Sequence, residues 1–294
     1  MQWQKVTIVG VGLLGGSLGL ALRQRRLARQ VVGYVRRPES VTACLARRVV
    51  DFATQDLKEA VTGSDLVVLA TPIAQMRAIA EQMQSALAPN AIVTDVGSVK
   101  GIVIQELEPI ALAAGAHFVG SHPMAGSEQM GVEASRGDLF ENAICAITPN
   151  KTSPPEVVTR LEEFWTSLGA RPIRMAPEMH DDYVSRSSHL PHVIAAELAN
   201  YVLSPVHPKE QALMCATGFR DTTRVASGSP EMWRDIALAN RKNLARVLGV
   251  FIEDLREFQI SLENGDGKAI QEFFAVAKQR RDNWPGKDAS PSPE

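Results

Sequence analysis

Hydrophobic positions in the first part of the chain come as short runs separated by longer amphipathic stretches. Val6 to Val9 is a β-branched run that ends in glycine, and Leu14 to Leu27 is apolar at helical spacing. Val31 to Val35 reads as a second strand, followed by a helix from about Ser40, and Val49 to Ala53 as a short third strand. Leu66 to Ala70 and Ala91 to Asp95 are two more, each followed by a helical segment, and Phe118 to Ser121 is a sixth. Strands rich in Val, Ile and Leu that alternate with helices predict an α/β fold, a doubly wound parallel sheet covered on both faces. A strand at Ile144 to Thr148, a helix at Pro155 to Leu168 and a last strand at Pro172 to Met175 extend this domain.

After Pro177 strand-like runs become rare. Glu178 to Leu203, Lys209 to Cys215, Glu231 to Asn264 and Gly267 to Arg281 carry apolar residues at helical period, with Pro and Gly between them. The predicted organisation is residues 1–175 as a first domain, 176–283 as an all-helical second domain, and 284–294 as a loose tail rich in Pro and polar residues.

Composition narrows the function classes. The chain has 294 residues, 45% hydrophobic and 22% charged, which suits a soluble globular protein of two domains. A formal charge of -2 argues against a nucleic-acid binder driven by bulk charge. Cys44, Cys145 and Cys215 are far apart and form no CxxC, which argues against a disulfide scaffold or a thiolate zinc site and fits a reducing, cytoplasmic setting. The start, MQWQKVTIVGVG, does not read as a signal peptide, and no apolar run approaches the roughly 18 residues of a membrane span.

Gly10-Val11-Gly12-Leu13-Leu14-Gly15 is a GxGxxG loop that directly follows a strand and opens a helix. In that context the first glycine permits the tight turn, the second lets backbone N–H groups approach a pyrophosphate, and the third lets helix and strand pack closely. The helix N-terminus adds partial positive charge. The first domain is therefore read as a Rossmann-type dinucleotide-binding domain. NAD sites usually carry a carboxylate about 20 residues on, at the end of the second strand. That position is Val35, followed by Arg36 and Arg37, whose charge and forked donors suit a 2′-phosphate. The expectation is NADP, with NAD as the alternative if both arginines are merely solvated.

In such a sheet the ligand crosses the carboxyl ends of the strands. The loops there are Thr71-Pro72-Ile73, Gly97-Ser98-Val99-Lys100 and Ser121-His122-Pro123-Met124. Ser98 and His122 should emerge side by side near the reactive ring. His122 could take a hydroxyl proton as hydride leaves, and the Ser98 hydroxyl could orient the imidazole. His117 reads as surface or packing. In the helical part, His189 and His192 lie three residues apart on one helix face, without the HExxH or cysteine partners of a metal site. In the segment Gly218 to Arg224, Arg220 and Arg224 share a face if it is helical, as a clamp for an anionic substrate or as a solvated turn.

Together these segments resemble the prephenate/arogenate dehydrogenase family of tyrosine biosynthesis. The resemblance rests on GVGLLGGSL, TDVGSVKG from Thr94, GSHPMAGSE from Gly120, SSHLPH from Ser187, and GFRDTTRVA followed by PEMWRDI from Gly218 onward, and it spans about residues 5 to 280. It implies that His122 is the catalytic group, that Ser98 positions it, that Arg224 binds a substrate carboxylate and that His192 lines the substrate pocket. His189, Ser127 and Glu128 match motif positions near that pocket. Gly10, Gly12, Leu13, Leu14, Gly15, Thr71 and Pro72, with Arg36 and Arg37, are the expected cofactor contacts. The implied reaction is oxidative decarboxylation of prephenate with NADP or NAD, or of arogenate as the alternative, by a homodimer joined through its helical domain. A β-hydroxyacid dehydrogenase would need a catalytic lysine in the helical part, which offers none in a comparable motif. A non-catalytic NADP-binding protein would keep only the glycine loop.

Overall fold

The computed structural model describes residues 3–127 and 129–285. Six strands form one sheet: β1 (Trp3–Val9), β2 (Ala28–Tyr34), β3 (Phe52–Thr54), β4 (Leu66–Leu69), β5 (Ile92–Asp95) and β6 (His117–Phe118). Their order is β3-β2-β1-β4-β5-β6, and every pairing is parallel. The helices α1 (Leu13–Gln24), α2 (Pro38–Ala46), α3 (Leu57–Val61), α4 (Ile73–Met83) and α5 (Gly101–Ala113) form the crossovers. Alternation along β4 shows how the sheet is covered on both sides. Leu66 and Val68 pack with Leu18, Leu22 and Trp165, whereas Val67 and Leu69 pack with Met76, Met83 and Leu107.

The predicted sixth strand divides. Its first part, β6, continues the parallel sheet; after Val119 the chain enters β7 (Gly120–Pro123), which leaves that sheet. β7 pairs antiparallel with β8 (Ile144–Thr148), and β8 pairs parallel with β9 (Arg171–Arg174), so a second, three-stranded sheet stands beside the first. Strand composition alone did not reveal the antiparallel pair, because both strands are buried almost throughout and neither shows the apolar–polar alternation of a half-exposed antiparallel strand. The third strand is Phe52–Thr54, with Val49 and Val50 buried just before it. Helix α6 (Pro155–Ser167) brings Phe164 and Trp165 into the same core as α1.

By compactness, residues 1–243 form one unit and 244–294 another. In the first unit the change from sheet to helix falls between β9 and α7 (Pro177–Val184). The helix predicted over Glu178 to Leu203 is interrupted: α7 runs into a π-helical turn at Ser185–His189 before α8 (Leu190–Val202). The unit continues with α9 (Lys209–Leu213), α10 (Thr217–Thr223) and α11 (Pro230–Ala239). The single helix predicted over Glu231 to Asn264 breaks at Asn240, between α11 and α12 (Arg241–Glu263). The second unit contains the rest of α12 and α13 (Gly267–Asp282). Asp266 caps α13 by accepting from the N–H groups of Lys268 and Ala269, and Phe258 packs against Phe273 with ring centroids 4.4 Å apart. Apart from Trp284 and Pro285, the predicted tail lies outside the described residues. Among those residues no helix is long and apolar enough to cross a membrane.

Candidate active site

The glycine loop follows β1 at the centre of the sheet. Gly10 has φ +95, and a Cβ there would stand 2.8 Å from the Ala70 carbonyl oxygen. A Cβ on Gly15 would fall 2.1 Å from the Gly10 carbonyl oxygen, so the third glycine is needed for the turn itself. A Cβ on Gly12 would meet nothing within 4 Å. Its lack of a side chain answers no internal packing demand and leaves open space at the start of α1, which has no side-chain cap. Beside the loop, the buried Thr71 hydroxyl has no hydrogen-bond partner, while its methyl packs toward Gly10. An open cradle, uncapped helix N–H groups and an unpartnered hydroxyl fit a dinucleotide phosphate. Pro72 precedes α4. Val35 is buried, whereas Arg36 and Arg37 are exposed at the start of α2.

His122 lies on β7, opposite Ala146. The backbone just before it is held firmly. Ser121 donates its hydroxyl to the Asp95 carbonyl at 2.6 Å, and Lys100 Nζ donates to the Ser121 carbonyl at 2.8 Å while ion-pairing with Asp95. Lys100 and Asp95 are both fully buried, so Lys100 is neither a solvated residue nor a free ligand contact. Burial pulls the Lys100 ammonium down and pushes the Asp95 carboxyl up, and each opposes that shift in the other.

The imidazole of His122 is held from the helical side. Its Nδ1 is 2.9 Å from His180 Nε2, and His180 Nδ1 is 2.9 Å from Asp181 Oδ1. Asp181 also accepts from the backbone N–H groups of Lys100 and Gly101, each at 2.8 Å, at the start of α5. Burial above all holds the His122 imidazole well below the ordinary 6.5, so it is neutral near pH 7. It keeps 8% exposure, against 1% for His180.

The π turn sets which other side chains join it. In an unbroken α-helix, at about 100° per residue, His180 and His189 would point about 180° apart. One extra residue in the turn reduces this to about 80°, and brings His192 to within about 20° of His180. The buried His189 faces the Ser98 backbone, which raises its pKa slightly against the larger effect of burial; the net value is lowered to about 4. Its Nε2 makes no hydrogen bond of good geometry. Asn240 donates from Nδ2 to His189 Nδ1 at 3.2 Å and to the Asp181 carbonyl at 2.8 Å, which explains the helix break there. His192 donates from Nδ1 to the Ser188 carbonyl at 2.9 Å, leaving Nε2 as an acceptor, and stacks on Trp233 at 3.7 Å between centroids. Burial lowers its pKa, and so does Arg224, which lies close enough to act on it. Arg224 follows α10 and is exposed.

The structure therefore gathers His122, His189, His192 and Arg224, together with the Ser98 backbone. Ser127 sits in the exposed loop after β7, where its Oγ accepts from the Gln129 N–H. Glu128 lies outside the described residues. Sequence reasoning missed His180, Asp181, Asn240 and Trp233. The adjacent pair His180-Asp181 was the available signal, but only the fold brings it against His122.

Comparison with known proteins agrees with this architecture. Residues 18–174 match the family model "Prephenate dehydrogenase, nucleotide-binding domain", and residues 176–276 match "Prephenate dehydrogenase, dimerization domain". The chain is 33% identical to the prephenate dehydrogenase of Bacillus subtilis, covering 95% of this chain and 76% of that protein. It is also 33% identical to the cyclohexadienyl dehydrogenase of Zymomonas mobilis, covering 95% of each. The crystal structure of the Aquifex aeolicus prephenate dehydrogenase in complex with hydroxyphenyl propionate and NAD+ superposes with a TM-score of 0.88 at 33% identity, over 95% of this chain and 97% of that one. Two consecutive family domains and a relative 33% identical over 95% of the chain lead to one conclusion: this chain belongs to the prephenate dehydrogenase family.

Proposed function

We propose that this protein oxidises and decarboxylates prephenate to 4-hydroxyphenylpyruvate, with His122 as the general base. The observation that carries the reading is the neutral, nearly enclosed imidazole of His122, held through Nδ1 so that Nε2 is available. A bound nicotinamide dinucleotide supplies the hydride acceptor. Backbone N–H groups from Gly12 to Gly15 would hold its pyrophosphate, with Gly10 making the turn and Thr71 and Pro72 as the other expected contacts. His122 Nε2 takes the proton of the ring hydroxyl as the carbinol carbon is oxidised. Once CO2 leaves and the ring becomes aromatic, the imidazolium returns that proton to the phenolate oxygen, so His122 is regenerated.

Arg224 and His192 orient the anionic substrate, while Ser98 and His189 line the side nearest the cofactor. Ser127 and Glu128 remain proposed pocket residues on motif position alone. Arg36 and Arg37, with no carboxylate at Val35, favour NADP over NAD. The exposed apolar side chains Leu255, Ile260, Phe273 and Phe274 on α12 and α13 support a homodimer formed through the helical part, and unpaired cysteines support a cytoplasmic setting.

The direct test is reduction of NADP or NAD on adding prephenate. His122→Asn should cut kcat about 10²- to 10⁴-fold with cofactor affinity intact; a near-native kcat would refute the base assignment. If NAD gives the higher kcat/KM and Arg36→Asp leaves that preference unchanged, the NADP reading fails. Kinetics with arogenate alongside prephenate will rank the two substrates, and sedimentation will measure the oligomer.

A further inference from the structure

The buried chain Asp181–His180–His122 has a hydrogen-bond logic with one solution. Asp181 accepts from three N–H groups: Lys100, Gly101 and His180. A carboxylate that takes all three N–H groups serves only as an acceptor. His180 Nδ1 must therefore carry a proton. With Nδ1 as the donor, His180 offers the lone pair of Nε2, which lies 2.9 Å from His122 Nδ1. His122 must donate from Nδ1, so its own lone pair is confined to Nε2. Were the amide of an asparagine to replace Asp181, it could donate to His180 Nδ1, reverse both tautomers and put a proton on His122 Nε2, where a base is useless.

We propose that His180 and Asp181 are positioning residues that fix the tautomer of His122 and strengthen its Nδ1–H hydrogen bond when Nε2 becomes protonated. The proton taken from the substrate hydroxyl stays on His122 Nε2, and none passes to Asp181. Because Asp181 also caps the start of α5, the same carboxylate ties the base to the loop carrying Ser98. The inference rests on the reading of His122 as the base. The charged and titratable groups facing His122 are His180 from α7, His189 from the π turn, Lys100 ahead of α5 and the Cys145 thiol on β8. Of these, only His180 is hydrogen-bonded to its ring.

The test uses His180→Leu, His180→Gln and Asp181→Asn in the full-length protein, with kcat and KM for prephenate, cofactor affinity and the pH profile of kcat/KM as readouts. Leucine removes the acceptor for His122 Nδ1–H, whereas the glutamine carbonyl can replace it. His180→Leu should lower kcat at least about 10²-fold with KM and cofactor affinity within about threefold, and its acid limb should move to lower pH. His180→Gln should recover activity to within about tenfold of wild type. Asp181→Asn should resemble His180→Leu. A purely structural role predicts instead that leucine and glutamine lose activity together with cofactor affinity, and that result overturns the proposal. So does a His180→Leu enzyme with near-native kcat and an unmoved acid limb. If Asp181→Asn does not fold, the leucine–glutamine contrast decides alone. An active His122→Asn enzyme would sink the base reading itself; an inactive His122→Asn beside a near-native His180→Leu sinks only the positioning role of His180 and Asp181.

Discussion

The glycine loop and the histidine cluster are built in opposite ways. The loop works through backbone: six consecutive residues make a turn whose first and third glycines are required because an added Cβ would come as close as 2.1 Å to a backbone atom. The cluster works through side chains drawn from distant segments, and it is joined by hydrogen bonds spanning 51 to 81 residues of sequence. A local device tolerates little change within itself and much around it. A non-local device depends on the phase of every helix that feeds it. Each can be broken without the other.

The largest effect should come from helix phase. Inserting one alanine after Ser187, an exposed residue of the π turn, adds a residue beyond the one the turn already absorbs and swings everything after it by about 100° relative to His180. His189 and His192 would leave the cluster while the glycine loop stays intact. The expected outcome is a loss of kcat/KM of at least about 10³-fold with cofactor binding retained, comparable to removing several positioned groups at once. Activity within tenfold of wild type would show that the π turn does not set the geometry.

The complementary break is at the loop, where two neighbouring glycines should respond differently. Gly12→Ala adds a methyl to open space, so the melting temperature should hold while cofactor affinity falls about tenfold or more. Gly15→Ala drives a methyl into the Gly10 carbonyl and should destabilise the fold by about 1–3 kcal/mol. Equal effects on stability from both would mean that the cradle is not open. A smaller change is expected at Arg224→Ala. It should raise KM for prephenate about tenfold, the scale of one charge-assisted hydrogen bond, with little change in kcat. An unchanged KM would take Arg224 out of the substrate site.

The same contrast explains what could be read from the sequence. The parallel sheet and the glycine loop follow from local patterns: Val6 to Val9, GxGxxG and the alternation of strand and helix; His122, expected in the loop after the sixth strand, lies instead within β7, paired with Ala146. The switch into a second sheet at Val119 was not legible, because β7 and β8 are buried almost throughout and neither shows the alternation that marks a half-exposed antiparallel strand. The π turn was hidden as well, since Ser185 to His189 has no residue that breaks a helix. His180 and Asp181 escaped for a related reason. Their partners, His122 and the start of α5, are more than 55 residues away, and nothing local marks that meeting.

The smallest effect tests the cluster through stability, independently of catalysis. His189 has its pKa lowered to about 4 in the folded protein, first by burial and then by the neighbouring His180 and His192. In the unfolded chain a histidine titrates near 6.5. Between pH 6.5 and 4 the unfolded state therefore binds a proton that the folded state does not. Unfolding free energy must fall as pH is lowered through this window, at about 1.4 kcal/mol per unit for a fully separated pair of states. His122 adds a contribution of the same sign. Urea unfolding of wild type and His189→Gln at pH 6.5 and 5.5 isolates the term. The variant should lose about 1 kcal/mol less than wild type over that step. Equal losses would mean that His189 takes up its proton in the folded protein, and the enclosed, neutral cluster would not then exist in solution.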